Sequence, residues 1–286
     1  MNTNVSRKLK STIKELSDFE TLKGMHYELG ESDAMPSLEA LEDIVQLCRA
    51  LIFPGFFGYP AVNKQNIAYH TGIGCERLYQ LLVEQIQEEN HDEIALAFIQ
   101  QLPQLRAWLS EDVVASYNGD PAADNYAEVI ACYPGIRAIS SYRIAHALLQ
   151  LGVAVLPRMI TELAHSETGI DIHPAAQIGH AFSIDHGTGV VIGATAILGN
   201  NVKLYQGVTL GAKSFPLDEE GNPIKGVPRH PILEDNVIVY SNATILGRIT
   251  IGKDATIGGN IWVTTDVPAG TRLMQTKQGS RTSKEI

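Results

Sequence analysis

Residues 171–211 read DIHPAAQIGHAFSIDHGTGVVIGATAILGNNVKLYQGVTLG, and an aliphatic side chain recurs there every six positions. Ile172, Ile178 and Ile184 lead three hexads; after a two-residue slip, Ile192, Leu198, Leu204 and Leu210 lead four more. The period breaks, then resumes at Leu233, Val239, Ile245, Ile251, Ile257 and Val263, so thirteen leads hold the register. The fifth position of most hexads is small or β-branched: Ala176, Thr188, Ala196, Val202, Val208, Val237, Ala243, Ile249, Ala255 and Ile261, with Phe182 in the same place. A six-residue period fits neither a helix nor an alternating strand. It fits a short strand plus a corner, with one large and one small side chain turned inward and three such units closing an eighteen-residue coil that stacks on the next. The periodicity therefore predicts a parallel β-helix.

The chain before this repeat has a different grammar. Nine of the 25 glycines fall in residues 1–168 and sixteen in 169–286, with the change near Ser166-Glu167-Thr168-Gly169. Helical spacing appears in Leu38, Leu41, Ile44, Val45, Cys48 and Leu51, and again in Leu78, Leu81, Leu82 and Ile86. Tyr133-Pro134-Gly135 opens a further helix through Tyr142, Ile144 and Leu148, with Arg143 and His146 on the same winding, and Pro157 interrupts its continuation. The expected organisation is an α+β chain: an all-helical domain at 1–168, a β-helix at 169–270 with a loop excursion at 213–228, and a tail at 271–286.

Composition narrows the function. With 286 residues, 44% hydrophobic and 19% charged, the chain can bury a large core, and no uncharged run approaches a bilayer span. A net charge of −10 offers no global field for a nucleic acid or an anionic membrane. Cys48, Cys75 and Cys132 are scattered and odd in number, which argues against disulfides or a zinc knuckle; they read as buried thiols. The first twenty residues carry charges throughout and lack an apolar core, so a cytoplasmic location is expected.

Four features stand out against the repeat: Asp171 to Ala176, Asp185-His186-Gly187-Thr188-Gly189, the break from Lys213 to Val227, and Arg229-His230-Pro231. The insertion beside His186 breaks the register at that place, which marks a local feature worth its distortion. His173 and His180 read as surface residues of the coil. Asp171 can simply satisfy backbone amides at the first corner. Asp120 before Pro121 also has the form of an N-cap. No Ser-His or Cys-His nucleophile pair is evident, so direct attack in a ternary complex is expected over an acyl-enzyme.

The run from Asp171 to Gly211, followed by Arg229-His230-Pro231, is similar to the active-site region of the bacterial serine O-acetyltransferases, hexapeptide-repeat acyltransferases. Asp120-Pro121-Ala122 and the YRIAHALL helix at 142–149 resemble their helical domain. The resemblance implies a left-handed β-helix and transfer of acetyl from acetyl-CoA to the hydroxyl of L-serine, a step of cysteine biosynthesis. It implies His186 as general base, Asp171 as its orienting carboxylate, and Asp120, Asp185, Arg229 and His230 as ligands of the amino acid. Acetyl-CoA, a co-substrate and not a bound cofactor, is expected along the coils near Gly211, Ser241 and Gly259, with no metal. A trimer, or a hexamer formed through the helical domains, and feedback inhibition by L-cysteine are further implications. Ile286 resembles the terminal residue through which such enzymes bind O-acetylserine sulfhydrylase.

Three features depart from the family pattern: the long charged stretch before Arg229, Tyr240 where many relatives have glycine, and the tail after Gly270. Rival readings are an O-acetyltransferase for a sugar or xenobiotic hydroxyl, a zinc enzyme using three of His173, His180, His186 and His230, and a scaffold whose tail binds another enzyme.

Overall fold

The computed structural model describes residues 3–18, 20, 35–57 and 62–275. Met1–Met35 and Pro36–Ile286 form two compact units. In the first, α1 (Thr3–Leu16) carries Val5, Leu9, Ile13 and Leu16 at helical spacing, all exposed.

Among its described residues the second unit begins with six more helices: α2 (Leu38–Ile52), α3 (Ile67–Gln85), α4 (His91–Gly119), α5 (Tyr126–Cys132), α6 (Pro134–Gln150) and α7 (Leu156–Thr168). Ser37 starts α2 by accepting a hydrogen bond from the Ala40 amide, and the predicted stripe of Leu41, Ile44, Val45, Cys48 and Leu51 is buried. Pro157, expected to interrupt a helix, stands in the first turn of α7, where its missing N–H costs nothing. Gly169, in the left-handed region at φ 70°, ends α7. Of the three thiols only Cys48 is fully buried; Cys75 is half-buried and Cys132 exposed, which corrects the expectation for both.

Among the described residues, fourteen short strands then wind a left-handed parallel β-helix of about five turns with three faces. The first face holds β1 (Asp171–Ile172), β4 (Val191–Ile192), β7 (Thr209–Gly211), β10 (Thr244–Leu246) and β13 (Trp262–Val263). The second holds β2 (Gln177–Ile178), β5 (Ile197–Leu198), β8 (Ile232–Leu233) and β11 (Thr250–Ile251). The third holds β3 (Ser183–Asp185), β6 (Lys203–Tyr205), β9 (Ile238–Val239), β12 (Thr256–Ile257) and β14 (Arg272–Leu273). Plain coils pair residues eighteen apart, as Val191 with Thr209 and Thr244 with Trp262. The first coil is longer, pairing Asp171 with Val191, and the third much longer, pairing Thr209 with Thr244. Every hexad lead is buried except Ile178, which is half-buried against the core.

One inward position differs from the sequence reading. Thr188 is exposed, and Val190, fully buried, takes its place, because the two extra residues at this corner push the inward register two positions along. The third face also extends past the expected end at Gly270, since Arg272 pairs with Thr256. Left-handed corners are filled by Asn201, Asn236 and Asp254, residues that tolerate positive φ, and their side chains bond one another in a ladder of 2.9 and 2.7 Å.

The coil and the helices are joined by a buried ion pair. Arg143 of α6 donates to Asp112 of α4 at 2.6 and 2.8 Å and to the Gly179 carbonyl at 2.8 Å, while the Phe182 amide donates to Asp112 at 2.9 Å. Both charged side chains are almost fully buried, and the cluster fixes α4 and α6 against β3.

Candidate active site

The site residues fall at two different corners of the coil. His186 follows β3 at the corner between the third and first faces, with φ 56°. Histidine is among the few non-glycine residues that enter this region readily. Gly187 beside it has φ 100°, and a Cβ there would lie 2.4 Å from Ile170 Cδ1, so the turn requires glycine on both counts. The imidazole is 76% exposed, and its Nε2 lies 3.8 Å from Asp185 Oδ1.

Asp120 reaches the same cleft from the helical part. It ends α4 and does not cap α5, whose N-cap is Asn125, which corrects the N-cap alternative. The Tyr133 hydroxyl donates to Asp120 Oδ2 at 2.5 Å and the Ala122 amide to Oδ1 at 2.8 Å. The Tyr133 hydrogen bond, then that amide, hold the Asp120 carboxyl below the usual carboxylate range, so it is ionised at neutral pH. Ser116, Asp120, Tyr133, Ser183, Asp185 and Lys203 line the cleft.

Arg229 and His230 stand at the corner between the first and second faces, where the long excursion returns to β8. Both their backbone amides donate to Thr195 Oγ1, at 2.9 and 3.1 Å. The Thr195 hydroxyl lies 2.8 Å and its amide 3.1 Å from His230 Nδ1. An amide can only donate, so Nδ1 is the acceptor and the ring proton sits on Nε2. Burial first, and then the charges of Arg229, His173 and Arg248, push the His230 pKa down to about 4. A neutral imidazole with a free Nε2–H is a donor for a carboxylate or carbonyl. Arg248 fixes the corner by donating to the Thr195 and His230 carbonyls at 2.6 and 3.0 Å.

Asp171 lies on the first face, its Oδ1 3.4 Å from Arg158 Nη1. Among the described residues no hydrogen bond or ion pair joins it to His186. Ser241 and Gly259 stack at the corner of His186, where the Asn260 amide donates to the Ser241 carbonyl at 2.9 Å. Gly211 ends β7, at the corner of Arg229 and His230.

No family model matches the chain. A plasmid serine acetyltransferase of Synechococcus elongatus is 46% identical over 288 residues, covering 93% of this chain and 90% of the relative. The chain belongs to the serine acetyltransferase family. The crystal structure of serine acetyltransferase 1 from Entamoeba histolytica in complex with L-cysteine is similar, with a TM-score of 0.73 and 37% identity over 85% of this chain and 87% of that one. That of the serine acetyltransferase of Brucella abortus in complex with coenzyme A has a TM-score of 0.56 at 26% identity, covering 82% and 78%.

Membership of the serine acetyltransferase family counts against a sugar or xenobiotic acceptor. Among the described residues of one chain, no three of His173, His180, His186 and His230 converge, and the one cluster of that kind is Glu162, His165 and Asp171. There the Arg158 guanidinium already pairs with Glu162 and Asp171. No helix of the described residues is long and apolar enough to cross a membrane. Ile286, the proposed contact of a scaffold or partner, lies outside the described residues.

Sequence reasoning missed Tyr133, Lys203, Thr195 and Arg248. Lys203 was recoverable: the hexad register places Asp185 opposite Tyr205, and alternation then turns Lys203 outward beside Asp185. The other three carry no pattern of their own.

Proposed function

We propose that this chain transfers acetyl from acetyl-CoA to the hydroxyl of L-serine, giving O-acetyl-L-serine and coenzyme A. The observation that carries the reading is the corner at which His186 and Asp185 meet Asp120. An exposed imidazole there stands beside two carboxylates suited to an ammonium. His186 accepts the hydroxyl proton as the serine oxygen attacks the thioester carbon. The tetrahedral oxyanion then collapses, the C–S bond breaks, and the imidazolium returns the proton to the departing thiolate. Asp171 orients and stabilises His186, its carboxylate leaving Arg158 to do so. Asp120 and Asp185 take the ammonium; Arg229 and the His230 Nε2–H take the carboxylate.

The ammonium and carboxylate of serine sit on one carbon, whereas the two groups of ligands occupy corners at opposite ends of the first face. A serine bound at one corner therefore cannot reach the other within one coil. Packing copies about an axis parallel to the coil brings the His186 corner of one against the Arg229 corner of the next, which supports a homotrimer with shared sites, doubled to a hexamer through the helical domain at 1–168. Acetyl-CoA then lies along the same seam, past Ser241 and Gly259 on one side and Gly211 on the other. L-cysteine, isosteric with serine apart from sulfur, competes for the amino-acid site and supplies feedback. Ile286 contacts O-acetylserine sulfhydrylase in the cytoplasm.

Thiol release from acetyl-CoA with L-serine, L-homoserine or no acceptor tests the reading. Turnover specific to L-serine, lowered by roughly 10²–10⁴-fold in His186→Ala, is expected; near-normal turnover in that variant would remove His186 as base.

A further inference from the structure

The amine cleft contains a cation of its own. Lys203 extends outward from β6, and its ammonium donates to the Gly119 carbonyl at the end of α4 at 2.6 Å, stands 3.4 Å from Asp185 Oδ2, and lies 4.6 Å from the centre of the Tyr205 ring. Only 14% of the side chain is exposed. Tyr205 is itself backed by Tyr240, their rings stacked 4.9 Å apart at 15°. Tyr240, Tyr205, Lys203, Asp185 and His186 thus form one continuous line ending at the exposed imidazole.

A lysine at a helix C-terminus ordinarily caps a carbonyl while its charge stays in water. Lys203 caps Gly119 while held among aromatic rings and a carboxylate. Burial works against its charge, yet the Tyr205 and Asp185 contacts outweigh that cost and keep it protonated. The charges facing the cleft are then Asp120, Asp185 and Lys203, with His186 and the Tyr133 hydroxyl beside them.

We propose that Lys203 sets the charge of the amine subsite: by pairing with Asp185 it leaves one net negative charge to meet one substrate ammonium. The proposal rests on the placing of that ammonium at Asp120 and Asp185. Lys203 acts through Asp185 and is a positioning residue. Without it both carboxylates face the ligand uncompensated, and any ammonium binds more tightly. With it, a ligand recruited by its amine alone is held weakly, so the carboxylate contacts of a full amino acid count for more. Lys203 in this sense limits the affinity that the amine contact lends to any ligand, amino acid or simple amine.

The test uses Lys203→Met, Lys203→Gln, which keeps a donor for Gly119 without the charge, and Lys203→Arg in the full-length enzyme. KM for L-serine should fall at least threefold in Met and Gln, inhibition by ethanolamine should strengthen by a similar factor, KM for acetyl-CoA should stay unchanged, and Arg should restore wild-type values. An unchanged KM for L-serine in the Gln variant, with only the melting temperature lowered, would reduce Lys203 to a helix cap and overturn the proposal. Asp185→Asn separates the two layers. A raised KM for L-serine supports the amine subsite whatever Lys203 does, and an unchanged one overturns the subsite and the proposal with it.

Discussion

His230 fills the space that a side chain at position 193 would need: a Cβ on Gly193 would lie 2.1 Å from both Cδ2 and Nε2 of the imidazole. Gly193→Ala must therefore move the ring off Thr195 or shift the backbone of the coil. The expected cost is about 1–3 kcal/mol, read from urea midpoints, together with a raised KM for L-serine. Wild-type stability and KM would show that the ring is not confined there.

The depressed pKa of His230 carries a pH dependence of stability. Its ordinary value is 6.5 and its folded value about 4, so between these values the unfolded chain binds more protons. The stabilisation is fully present above pH 6.5 and is lost as pH falls toward 4, by up to about 3 kcal/mol. His173, also lowered by burial, adds in the same direction. Urea midpoints of wild type and His230→Gln at pH 7.5 and 4.5 check this; the variant should lose less on acidification.

Breaking the buried Asp112–Arg143 pair should be strongly destabilising. Asp112→Ala leaves a guanidinium buried beside an unmet Phe182 amide, and a loss of about 3–5 kcal/mol is expected. Adding Arg143→Met should recover part of that loss. A double mutant as unstable as the sum of the singles would show that the two side chains do not act together.

Shortening the excursion tests how independent the corners are. The loop forms a small hairpin in which Leu217 bridges Pro223 and Asp218 accepts from the Asn222 amide at 2.7 Å, while Phe215, Leu217 and Ile224 are exposed. Deleting residues 215–224 should change global stability by less than about 1 kcal/mol, since a shorter loop loses little closure entropy. Loss of the circular dichroism signal of the coil would show that the hairpin holds the rungs together.

The coil was legible because its signal repeats: thirteen leads turn inward at one period, and only Thr188 was misplaced, where two inserted residues displace the register without leaving a pattern. The helices were readable from their apolar stripes, although the role of Pro157 depended on which of two adjacent helices claimed it. The site residues were legible by chemical type and insertion, but their arrangement was not. Nothing in a linear string says that Tyr133 reaches back to Asp120 or that Thr195 gathers Arg229 and His230, because those contacts depend on how helices and coils pack. The partner of Asp171 in this chain, Arg158, belongs to α7 and carries no motif.

The uneven lengths of the rungs have a consequence for how this enzyme tolerates change. The coil absorbs two extra residues beside His186 and a far longer segment before Arg229, yet Asp171 still pairs with Val191 and Thr209 with Thr244. Vertical pairing, not the length of chain between them, sets the height of each corner. Material can therefore be gained or lost at the corners as overhang, while the walls that hold the reacting groups keep their spacing.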